Sequence, residues 1–326
     1  MTHFSCLFFA GLVLAVNVWA SDELVVRHQG IPHDALYDVC FRGEQGVAVG
    51  AFGILLTSSD GGYSWSSSET LKSKSALLGA ECLSDKVIVV GQEGAIHIKT
   101  NGEWQEVETP TQERLFAVEM TDDGLGIAVG GFGTVLRTLD GGANWETMSI
   151  DWETILNDFV EPHVYDVNIS ATGVITIVGE FALVIQSRDK GETWTIQNKG
   201  DASLFALNLN QSGTGFAAGQ TGTVIKTTDG GASWKTVDIG GEGIFLDVWS
   251  SSKGEVIVIG IREMLRSNDY GVSWASVTAG DIETSWYQSI GVAAVSELNE
   301  ENGTNVTLLQ EKVYVVGHSG RVIEVR

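Results

Sequence analysis

Residues 130–145 read Gly130-Gly-Phe-Gly-Thr-Val-Leu-Arg-Thr-Leu-Asp140-Gly-Gly-Ala-Asn-Trp145. Two glycines bracket a Phe, a short apolar run follows, and an Asp-Gly-Gly turn delivers a Trp. The run is too short for a helix and lies between turn residues, so it reads as a strand. Working outward, Gly126-Ile-Ala-Val-Gly130 and Leu115-Phe-Ala-Val-Glu-Met120 read as two earlier strands, and the segment around Trp145 as a fourth. The unit is thus four short strands, here lettered a to d.

The same unit recurs along the chain. Gly50-Ala-Phe-Gly53 leads to Asp60 and Trp65, and Gly219-Gln-Thr-Gly222 leads to Asp229 and Trp234. Degenerate copies run from Gly179 to Asp189 and Trp194, and from Gly260 to Asp269 and Trp274. A shortened copy from Gly91 to Trp104 lacks the Asp, and a seventh begins at Gly317 and reaches Arg326 without a Trp turn. A repeat of about 40 residues with four strands is the mark of a propeller blade. The expected fold is all-β, a single seven-bladed β-propeller over residues 21–326. The seventh copy lacks strand d, and Glu23-Leu-Val-Val-Arg-His28 belongs to no other copy. It is predicted to close the last blade as its outer strand, which removes an unpaired edge.

Composition agrees with this reading and narrows function. Gly is 40 and Pro 3 in 326 residues, a balance that favours tight turns between strands. A net charge of −23 argues against nucleic acid, a polyanion held by basic surfaces, and against docking on anionic lipid. Leu7 to Val18 is apolar and Val18-Trp19-Ala20 offers a cleavage pattern, so residues 1–20 read as a signal peptide, with an uncleaved anchor as the alternative. The expected location is the periplasm or the exterior. Cys40 and Cys82 then either form one disulfide or stay as buried thiols.

The segments ending in Trp65, Trp145, Trp194, Trp234 and Trp274 match the Asp-box, also known as the bacterial neuraminidase repeat, with Asp60, Asp140, Asp189, Asp229 and Asp269 as its acids. One local arrangement repeated five times reads as folding chemistry: the Asp accepts N–H bonds of its own turn and the Trp packs between blades. Asp-boxes occur in sialidases, but Ile31-Pro32 follows Gln29-Gly30 and not Arg, and no nucleophile elbow, zinc motif or phosphate loop is present. The chain reads as a non-enzyme with no cofactor and no metal site. A glycan-active hydrolase or lectin is the alternative.

The pattern Leu-Phe-Ala-Val … Gly-x-x-Gly-x-Val-Leu-x-Thr-x-Asp-Gly-Gly-x-x-Trp resembles the photosystem II stability/assembly factor family, best over residues 115–145 and 204–234. The resemblance implies an exported seven-bladed propeller, lumenal in photosynthetic members, that binds a protein partner and assists assembly or stability of a membrane or envelope complex. The family's photosynthetic members are implied to use an arginine patch. This acidic chain shows no comparable cluster.

Propeller connectivity places the b–c turns and the entrances to strand a on one face, and the Asp-boxes on the other. The candidate partner-binding residues are therefore Phe52, Phe132, Phe181, Arg262 and His318 at b–c turns, with Arg114, His163 and Trp286 at strand-a entrances. The turn phenylalanines either stand free or tuck beneath a neighbouring turn. Trp152, Ile155, Leu156 and Phe159 have helical spacing, predicting a short helix on this face, and Ser296 to Lys312 is expected to be a polar loop on the other.

Overall fold

The computed structural model describes residues 23–68, 71, 73–301 and 304–326; the expected signal peptide, residues 1–20, lies outside them. Seven four-stranded antiparallel sheets are arranged as the blades of a propeller. Strands a of the first six blades are Leu36–Arg42, Leu77–Cys82, Leu115–Met120, Val164–Ile169, Leu204–Leu209 and Phe245–Ser250. Blade 7 comprises Tyr287–Glu301, Thr304–Gly317, Val322–Val325 and the N-terminal strand Leu24–His28. The last two strands are antiparallel, with Leu24 opposite Val325 and Val26 opposite Ile323.

The apolar core is divided among the blade interfaces. Seven clusters of buried residues each join two neighbouring blades, so neither face of any sheet is left bare. Each turn Trp enters the cluster shared with the preceding blade: Trp65 meets blade 7, Trp145 blade 2 and Trp274 blade 5. A single blade buries neither face, so stability comes from neighbours stacking round the ring.

The Asp-boxes fix these tryptophans by one repeated scheme. In the first, Ser58 Oγ donates to Asp60 Oδ1 and accepts from Gly62 N, Ser64 N donates to Asp60 Oδ1, and Trp65 Nε1 donates to Gly62 O. The boxes of Asp140, Asp189, Asp229 and Asp269 repeat it. Hydrogen bonds from Asn144 hold the Asp140 carboxyl down to about 2. Blade 2 replaces the box with an Asn101-Gly102 hairpin turn, both residues at positive φ, and Trp104 Nε1 is left without a partner.

Two features depart from the expectations or settle an open alternative. Residues 296–301 and 304–312 are no loop: strands a and b of blade 7 run on as paired strands as far as Glu301 opposite Thr304. The segment holds strand formers such as Thr304, Val306 and Thr307, and pairing needs only a partner strand. Cys40 and Cys82 are joined in a disulfide, Cα–Cα 5.5 Å, which ties strand a of blade 1 to strand a of blade 2.

Ring closure is reinforced by charge. Arg27 Nε donates to Glu324 Oε2 at 2.7 Å, and the Arg27 guanidinium lies 3.8 Å from the centre of the Tyr63 ring in blade 1. The Arg27 and Glu324 side chains are only 11% and 5% exposed, so the pair is screened little by solvent. Arg27→Ala should lower unfolding free energy by about 2 kcal/mol, Glu324 keeping Arg326 as partner. Deletion of residues 23–29 should lower the melting temperature further, and an unchanged melting curve for that deletion would refute closure by the N-terminal strand.

Candidate functional site: the b–c face and the axial cavity

The face is assembled by a single hydrogen bond used seven times. The N–H of the first b–c turn residue donates to the carbonyl just before strand a: Ala51 to Ala35, Gln92 to Ala76, Gly131 to Arg114, Glu180 to His163, Gln220 to Ser203, Ile261 to Ile244 and His318 to Trp286, at 2.9–3.2 Å. Strand b must come so close that a Cβ on Gly50 would lie 1.9 Å from Ala35 O, and one on Gly130 2.1 Å from Arg114 O. That approach is why each strand b ends in glycine. The Asp-boxes bond instead to the a–b turns, as Gly61 N does to Glu44 O and Gly141 N to Gly124 O. Asp-boxes and b–c turns thus occupy opposite faces.

The residue at the tip of every b–c turn has a left-handed backbone: Phe52, Glu93, Phe132, Phe181, Thr221, Arg262 and Ser319 have φ between 50° and 62°. The turn suits the twist of a hairpin, but normally takes Asn, Asp or Gly there. Phe52 is 76% exposed, Phe132 60% and Phe181 39%. The first two stand free of the core. Arg114 and Arg262 are exposed; His163, Trp286 and His318 are half-buried.

These candidates fall into different environments. Phe132 N donates to His163 Nδ1 at 3.0 Å, and their rings meet edge to face at 4.9 Å. From His163 a line of rings passes through Phe116 and Tyr165 to Phe205. Arg114 flanks this line in a cleft of about 480 Å³ with Glu93, Glu113, Phe116, Phe132 and His163. His318 and Trp286 belong to another network. Burial alone would raise the Asp281 carboxyl, but bonds from Ser285, Tyr287 and His318 and the Arg321 charge hold it down to about 2. Those bonds pin the entry to blade 7.

At the axis lies a cavity of about 400 Å³ lined by the second and third residues of strand a. The second residues include Tyr37, Phe116, Tyr165 and Phe205; the third include Asp38, Asp166, Asp247 and Ser289. The sequence alone did not single out this ring, although aromatic residues recur at that second position in four blades. The aspartates are caps for backbone groups. Asp38 accepts from Val39 N, Ala80 N and Ser289 Oγ; Asp166 from Val167 N and Leu207 N; Asp247 from Val248 N and Ile290 N. Two further blades do the same from the fifth residue, Glu119 accepting from Ile169 N and Asn208 from Ser250 N. Among the described residues no group of three or more His, Cys, Asp or Glu is arranged to hold a metal ion.

A family model described as photosynthesis system II assembly factor YCF48 matches residues 96–201, from strand c of blade 2 through blade 4. The chain resembles the photosystem II assembly factor propellers. A solved structure of YCF48 bound to a D1 peptide is similar over 94% of this chain and 95% of that one, at 16% identity and a TM-score of 0.69. YCF48 from Cyanidioschyzon merolae matches with 17% identity, 92% and 98% coverage and a TM-score of 0.70. The WD40 propeller domain of Doa1 superposes as well, at 12% identity, 93% and 97% coverage and a TM-score of 0.69. At these identities the structural likeness shows the fold. No curated protein matches the chain. In this assembly factor-like propeller the Asp-boxes carry the repeat signature.

The axial acids set a pH dependence. Burial, then the Asp38 charge, pushes Glu81 up to about 8, and burial pushes Asp166 up to about 7. Burial also raises Asp38, and raises Glu119 and Asp247 well above the usual range. Such carboxyls titrate near 4 in an unfolded chain. Between about pH 4 and pH 8 the folded state therefore holds more protons, and stability falls as pH rises. The Asp-box carboxyls, held low, act in the opposite sense only below about pH 4. The melting temperature should be higher at pH 5 than at pH 8, and Glu81→Gln should flatten the difference. Equal curves at the two pH values would show that these groups stay ionised on folding.

Proposed function

We propose that this chain is an exported, non-catalytic propeller scaffold. It binds a protein partner on its b–c face and assists assembly or stability of a membrane or envelope protein complex. The observation that carries the reading is the exposure of Phe52 and Phe132 on left-handed backbone. A left-handed conformation costs an ordinary L-residue about 1 kcal/mol, and these exposed rings recover little of it by burial. Folding alone would favour Asn or Gly, so the rings have a use outside the fold. Exposed aromatics suit a protein interface. The YCF48 structure with a D1 peptide shows a propeller of this fold holding a peptide, which supports the same use here.

The axial cavity favours a second reading, a lectin. Tyr37, Phe116, Tyr165 and Phe205 offer rings on which sugars stack. The three carboxylates beside them are engaged by backbone donors, whereas glycoside hydrolysis needs a free acid and a free base. Loss of glycan-array binding in Phe116→Ala would favour this reading.

The double variant Phe52→Asn, Phe132→Asn separates folding from docking. Its melting temperature should be unchanged or higher, because Asn tolerates the left-handed turn. Capture of the partner from an envelope extract, identified by mass spectrometry and then measured with the purified component, should weaken by about 30-fold or more, as loss of a central aromatic anchor does. A lower melting temperature would make the rings part of the core, and undiminished capture would place the partner elsewhere.

A further inference from the structure

Beside Phe132 lies a groove of about 660 Å³ bounded by the blade 3–4 connection. Its apolar surface is Phe132, Ile150, Phe159, which is 87% exposed, and Val160, over a buried Trp152. Its charged lining is acidic throughout: Asp151, Glu153, Asp158 and Glu161, with no Lys, Arg or His. Lys199, which follows the strand Thr195–Asn198, reaches the end of the helix Trp152–Leu156 and is occupied with the carbonyls of Ile155 and Leu156.

The groove is built rather than incidental. Asp151 caps the helix by accepting from Thr154 N and Thr154 Oγ1, and Asn157 ends it in a left-handed conformation. Trp152 Nε1 donates to Gly133 O in the adjacent b–c turn. A wall fixed in this way loses little freedom on binding, which favours affinity. An apolar strip between carboxylates is complementary to an apolar side chain flanked by cations.

We infer that this groove holds a segment of the partner in which Lys or Arg flanks an apolar side chain. The inference rests on the docking reading of the face and adds the chemistry of what docks. A membrane surface fits less well, because the same carboxylates are repelled by anionic headgroups.

The test uses the full chain and a fluorescent nonapeptide alternating Lys or Arg with Leu and Phe, its Glu-for-Lys counterpart, and vesicles of anionic phospholipid. Two triple variants remove equal charge. Glu153→Gln, Asp158→Asn, Glu161→Gln removes three of the four carboxylates of the groove and leaves the helix cap Asp151 alone. Glu44→Gln, Asp85→Asn, Asp122→Asn acts on exposed a–b turns of the opposite face. The basic peptide should bind the parent and the opposite-face variant alike, lose about tenfold in the groove variant at low salt, and lose affinity in Phe159→Ala. The Glu peptide should not bind.

Equal loss in both triple variants would overturn the inference, as general attraction to an acidic protein. Vesicle binding that depends on Phe159, without peptide binding, would overturn it in favour of lipid. If the peptide fails while native-partner capture still depends on Phe132, the charge inference falls and the docking reading stands. If neither depends on Phe132, both fall.

Discussion

Seven innermost strands face one axis, each with an edge that no further strand pairs. A buried N–H without a partner is costly, so those edges need acceptors. For five of the seven the chain supplies them from the preceding blade, by an acidic or amide side chain from the third or fifth residue of strand a. Each such bond fixes the offset between two blades as well as satisfying a donor. The interfaces that bury the core, and the face that the b–c turns build, therefore depend on a ring of polar contacts around the axis. The donors to Asp38, Asp166 and Asp247 are backbone groups and one serine hydroxyl. Without a cation among them, burial raises these carboxyls.

The repeat was legible because its determinants are local. Gly at the end of strand b, the Asp-box and the Trp act within one blade, at fixed spacing. The closing strand was legible by subtraction, since the last copy lacked a strand and an orphan strand stood at the other end. The axial caps were not legible. They act between blades, alternate between the third and fifth residues, and sit in strands whose register shifts near the start, as between Leu36 and Asp38. A lone Asp in such a strand looks like any polar strand residue. The paired extension in blade 7 failed for a different reason: backbone pairing alone can extend two strands, and leaves no apolar period to read.

The candidate face was half legible. The b–c position could be placed from connectivity, and the Phe residues recur there. Sequence could not separate residues used by the fold from those left free. His318 and Trp286 lie at the same kind of position as Phe132 and His163, yet His318 joins the Asp281 network while Phe132 stands exposed. The difference is set by Asp281, Ser285 and Arg321, which lie up to 40 residues apart and meet only once blade 7 has folded.

The two faces divide the chemistry of the molecule. On the Asp-box side, one hydrogen-bond scheme is repeated with Ser or Thr behind each Asp, and glycine takes most of the left-handed positions, Lys190 and Tyr270 being the exceptions. On the b–c side the same kind of turn carries Phe, Glu, Thr, Arg and Ser, residues that gain nothing from a left-handed backbone. A fold shared with YCF48 and with Doa1 does not choose among partners. What distinguishes this chain is where its turns depart from the best local choice and which charges surround those departures. Around Phe132 carboxylates outnumber the single arginine, Arg114, in a molecule of net charge −23. A surface of that sign discriminates by repelling acidic segments as much as by attracting basic ones. The partner chemistry is therefore to be sought in the residues that face Phe132 and Phe159, and not in the repeat that the chain shares with its relatives.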